Sequence, residues 1–134
     1  MDISDFVKKA KEYNVLGIKI SKDNELAAEW YSEPECRRNI YSATKSFTSC
    51  AVGFAVQEGL IDLNEKLTEA FSGDLPKCID ENLKEATVHD LLTMCLGQEK
   101  GSLMGEQRPL YEEDNWVKMS LAIPFKYKPG THFV

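Results

Sequence analysis

Ser42 and Lys45 stand three residues apart in Tyr41-Ser42-Ala43-Thr44-Lys45, an S-x-x-K spacing. The chemistry that uses such a pair is nucleophilic acyl transfer, because a serine hydroxyl attacks poorly until a base takes its proton. Three residues along a helix is one side of one turn, so Lys45 can reach back to Ser42. At a helix N-terminus the unpaired N–H groups and the dipole favour developing negative charge. One such N–H can form half of an oxyanion hole. A lysine accepts a proton only in its uncharged form, which burial or a cationic neighbour favours. The spacing alone carries little weight. Nine serines and thirteen lysines in 134 residues give about 0.9 such pairs by chance. On that count a capping serine with an exposed lysine one turn on is the plainer account.

Other side chains offer less. His89 beside Asp90 suggests a serine triad, but no G-x-S-x-G elbow is present, and a histidine at the second position of a helix is expected at the surface. Cys50 and Cys95 lie in apolar helical stripes, where packing is expected rather than nucleophilic attack. Gln98 follows Gly97 and either faces a cleft or is a plain polar loop residue. Gly97, Gly101 and Gly105 match neither a Walker A loop nor a dinucleotide fingerprint. Trp30, Tyr31 and Tyr41 could line a groove; cross-strand or core packing is the simpler expectation. The same holds for Trp116 and Met119. Four cysteines without C-x-x-C spacing and two distant histidines predict no metal site, and no cofactor is expected. The thiols are expected to be free and buried.

The elements that must position these residues follow from periodicity. Residues 3–13 read as a helix with Ile3, Phe6, Val7 and Ala10 on one face and Asp2 or Ser4 as its cap. Val15–Ile20 and Leu26–Tyr31 read as strands joined through Lys22-Asp23-Asn24, a hairpin. The strongest helix runs from about Ala43 to Glu58. Its Phe47, Cys50, Ala51, Phe54 and Ala55 predict a buried stripe, and Gly59 stops it. Asp62 or Asn64 is expected to cap a short helix through Phe71. Residues 73–82 read as loop. Thr87 and Asp90 form a capping pair for a helix over 88–95, and residues 97–111 read as loop. Glu112–Ala122 reads as an amphipathic helix. The class is α+β. Two strands against several helices leave sheet edges that seek partners.

Composition narrows the functions. A net charge of -6 opposes phosphate backbones, so no nucleic-acid partner is expected. No 18-residue apolar run and no basic leader are visible, which predicts a cytoplasmic chain with no membrane role. Length and the 43% apolar content fit one ordinary domain.

The order of segments is more specific than any one of them. Tyr41 to Ser49 opens a helix closing at Glu58-Gly59-Leu60, followed by Leu63-Asn64-Glu65-Lys66-Leu67. Then come Ala86-Thr87-Val88-His89-Asp90-Leu91-Leu92-Thr93-Met94, Gly97, and Lys128-Pro129-Gly130-Thr131-His132-Phe133. From about residue 14 onward this succession resembles the class C β-lactamase and penicillin-binding-protein-like serine hydrolases. The resemblance implies Ser42 as the acylated nucleophile and Lys45 as its proton-handling partner. It implies a small amide or ester substrate: a β-lactam, a D-amino-acid peptide or a simple ester. It also implies a Tyr-x-Asn motif and a Lys-Thr-Gly or His-Thr-Gly strand beyond Val134. Residues 1–134 are therefore expected to be a single partial domain with an incomplete sheet, inactive by itself. The other expectation is a non-catalytic module that pairs, or self-associates, through its open hairpin edge.

Overall fold

The computed structural model describes residues 1–34, 36–101 and 114–134. They form two compact units, Met1–Tyr41 and Ser42–Val134.

The first unit begins with helix α1 (Ser4–Glu12). The Asp2 carboxylate accepts from the Ser4 N–H at 2.9 Å and from the Ser4 hydroxyl at 2.6 Å, at the helix entrance. Only Ala10 of this helix is buried. Strands β1 (Gly17–Lys22) and β2 (Glu25–Tyr31) pair antiparallel. Asp23 and Asn24 join them with φ of 53° and 64°. Two left-handed residues match the twist of a two-residue hairpin turn, and Asp and Asn tolerate that conformation. Ile18 faces Trp30 and Ile20 faces Ala28 across the ladder. The register then steps to Ser21↔Leu26, so Ala27 is the extra residue of a bulge.

The second unit carries a 3-10 turn over Tyr41–Ala43, shared with the end of the first unit, and then α2 (Thr44–Gln57). Gly59, at φ 72°, ends α2. The short helices α3 (Leu67–Ala70), α4 (Glu81–Glu85), α5 (Val88–Leu92) and α6 (Trp116–Leu121) follow. Leu67, Leu83, Ala86, Leu121 and Phe125 form the core, with Phe71, Leu75, Ile79, Val88 and Leu96 packed around it. Backbone bonds from Leu67 N to Ala86 O and from Val88 N to Glu65 O, both 3.0 Å, tie the segment before α3 to the start of α5. Among the described residues this is an α+β arrangement with one two-stranded sheet.

Several expectations fail on burial. The apolar stripe of α2 is solvated: Phe47 is 69% exposed and Phe54 66%. Periodicity reports that a face is apolar, not what covers it. The four thiols are free, as expected, but Cys36, Cys50 and Cys78 are exposed and Cys95 is half-buried. Trp116 is also largely exposed. Residues 73–82, read as loop, overlap a 3-10 turn over Ser72–Asp74 and hold the first two residues of α4. Asp62 accepts from the Asn64 N–H in a tight turn and caps no helix. Helix α6 starts at Trp116, with Asn115 as its cap. The expected helix start at Glu112, and Gly105 with most of the 97–111 loop, lie outside the described residues.

Candidate active site

Lys45 Nζ lies 3.1 Å from Ser42 Oγ and donates to it. The geometry has a local origin. Ser42 sits in the 3-10 turn that opens α2, and Lys45 occupies the first turn of the helix proper. Ser42 is therefore one residue ahead of Ala43, the N-cap, and is not itself the cap. Tyr41, immediately before it, holds φ at 45°, a conformation rare for an aromatic residue. The Asn39 side-chain oxygen accepts the Tyr41 N–H at 2.8 Å and supports that turn. Both Ser42 and Lys45 are exposed.

Lys45 borders two cavities of the second unit. One, of about 380 Å³, separates Lys45, Thr48, Ser49 and Val52 on one face of α2 from Leu91, Leu92 and Met94. The other, also about 380 Å³, has Lys45, Leu91, Met94, Leu96, Gln98 and Val134 on its walls. Nothing in the sequence marked Leu91, Met94 or Val134 as cavity residues, because each also reads as packing. Gln98 is buried, and its amide donates to the Ser120 carbonyl at 2.6 Å. That bond, with the bridge between Gln98 and Phe125, makes Gln98 a support of the cavity wall.

The C-terminal segment is laced to the loop after α5. Tyr127 N donates to Gly97 O at 2.9 Å, Gly130 N to Cys95 O at 2.8 Å and Val134 N to Met94 O at 3.1 Å. Beside this lacing, the Lys126 ammonium bonds Glu99 at 2.7 Å. It holds the Glu99 carboxyl below the usual carboxylate range, and the carboxylate in turn raises Lys126. The Glu99 contribution is present at neutral pH and lost as acid reaches its lowered pKa. The Lys126 contribution is lost only as pH climbs through its raised pKa.

The remaining candidates stay apart from this pair. His89 is exposed on α5. His132 stacks on Tyr127 with ring centres 4.2 Å apart. The Thr87–Asp90 capping box is present, with the Asp90 carboxylate accepting from the Thr87 N–H at 3.0 Å. It leaves Asp90 engaged as a cap. Among the described residues no group of three His, Cys, Asp or Glu side chains could hold a metal ion. No helix among them is long and apolar enough to cross a membrane.

A comparison with curated proteins finds no match. The family model described as Beta-lactamase matches residues 8–134, nearly the whole chain, and includes Ser42, Lys45 and the cavity beside them. The chain belongs to the β-lactamase family.

Proposed function

We propose that the chain carries the nucleophile and proton acceptor of a serine acyl-transfer site that acts on small amides or esters. The observation that supports this is the 3.1 Å contact between Lys45 Nζ and Ser42 Oγ beside an open cavity, in a member of a hydrolase family. In the productive form the contact runs the other way, with the serine O–H donating to an uncharged amine. Oγ attacks the carbonyl carbon, the leaving group departs with the serine proton, and water later frees the acid from the acyl-enzyme. Turnover by residues 1–134 alone is expected to be slow. Both groups are exposed, and water weakens the electrostatic support that a closed site supplies.

Intact-mass analysis with a serine-acylating fluorophosphonate tests this. Slow, stoichiometric labelling is expected, mapped to Ser42, absent in Ser42→Ala and at least about 100-fold slower in Lys45→Met. Labelling that persists in Ser42→Ala sinks the assignment. Labelling at the rate of a mature serine hydrolase sinks the claim of slow turnover.

A further inference from the structure

We infer that the acyl group accepted by Ser42 is uncharged and apolar, and that it lodges in the cavity walled by Lys45, Leu91, Met94, Leu96 and Val134. The inference rests on the acyl-transfer reading above and narrows it. The volume of about 380 Å³ is that of a small-molecule site, which spans roughly 300–1,000 Å³. Lys45 ties the cavity to the chemistry, since the same side chain lines it and bonds Ser42 Oγ. An acyl carbon bonded to Oγ stands beside that wall.

Charge decides which acyl group fits. Among the described lining residues Lys45 has the one ionisable side chain. An anionic acyl group on Oγ would pair with Lys45, the cation at hand, and that pairing would engage the group that must receive the serine proton. A neutral chain escapes that cost, and each methylene it buries favours binding by up to about fourfold. The adjoining cavity shares Lys45, Leu91 and Met94 and adds Val52, Ile61 and Phe71, with Thr48, Ser49 and Glu65 as its polar lining, so a longer chain finds further apolar side chains beyond the first cavity. In the transfer the bond from Oγ to the acyl carbon forms, the acyl–oxygen bond of the ester breaks, and the serine proton leaves on the alcohol by way of Lys45.

The test uses the full chain with 4-nitrophenyl acetate, 4-nitrophenyl hexanoate and the anionic 4-nitrophenyl succinate. Acylation of Ser42 is read by mass and corrected for each ester's reactivity in buffer. Hexanoate is expected to react at least tenfold faster than either of the others. Met94→Asp should erase that advantage; Met94 has φ of 57°, which aspartate tolerates. Equal rates, or a faster anionic ester, overturn the inference. A second readout does not need acylation: N-methylhexanamide is titrated into Ser42→Ala and followed by backbone amide shifts. Shifts centred on Leu91, Met94 and Leu96 are expected; if wild-type Ser42 is acylated by none of the esters, those shifts uphold the apolar preference while acyl transfer is overturned. No shifts there overturn the preference whatever Ser42 does.

Discussion

Gly97 holds φ at 79°, and a Cβ built on it would stand 2.1 Å from the Tyr127 carbonyl oxygen. The obstacle is backbone, and that backbone is itself bonded to Gly97 O. Gly97→Ala therefore combines a left-handed conformation with an overlap that no side-chain rotation relieves. The expected cost is about 3 kcal/mol, read as a lower denaturant midpoint with an unchanged slope. Because the same contact seats Tyr127 to Val134, the cavity wall beside Lys45 should loosen with it. A wild-type midpoint in Gly97→Ala would mean that this lacing is absent in solution. At this scale the sequence was informative where chemistry is local. Ser42 and Lys45 meet because three residues on a helix must meet. Val134 and Met94 meet through chain separated by forty residues, for which no spacing rule exists.

Helices α2 and α4 show why element-level reading fails on burial, while the reading of caps succeeded at Thr87–Asp90 and failed at Asp62. A cap is decided within four residues, so the Thr87–Asp90 box and the Asp23-Asn24 turn were legible. Five-residue α4 is too short to show a period. Its cap, Asp80, lies in the stretch read as loop: one carboxylate oxygen accepts from Leu83 N at 2.8 Å, and the other accepts from distant Phe125 N at 3.2 Å. Burial also depends on distant chain. The long, apolar-striped α2 has no buried residue, whereas α4 seats Leu83 at 1% exposure in the core. The two helices should answer truncation in the opposite order to their periodicity. Leu83→Ala should cost about 2–5 kcal/mol, since it opens a cavity in packed surroundings. Phe54→Ala should stay within about 0.5 kcal/mol, as for other surface changes. Equilibrium urea unfolding of both variants decides this. A Phe54→Ala loss as large as that of Leu83→Ala would show the α2 stripe to be covered in solution.

Across the molecule, the class and the family were legible because they rest on the order of many segments, and that order survives uncertainty in each one. What was not legible is how much apolar surface these residues leave in water. Phe47, Phe54 and Leu60 of the second unit are each at least 66% exposed, and Leu26 of the hairpin is 51% exposed. The two-stranded sheet adds backbone groups unpaired along its outer edges among the described residues. Exposed large apolar side chains and open strand edges both favour association over solvation. The net charge of -6 opposes it, and salt screens that repulsion over a Debye length of about 8 Å at physiological ionic strength. We therefore expect the 134-residue chain to self-associate as concentration rises, and more strongly at higher salt. Sedimentation velocity over a hundredfold concentration range measures this directly. The pair Phe47→Lys with Phe54→Lys should shift the distribution toward monomer if α2 supplies the contact. An unchanged distribution in that variant would move the contact to the hairpin edge, where a proline in β2 should break it. A chain that stays monomeric at every concentration and salt would show that neither surface associates, and the open edge would lose its claim to a partner.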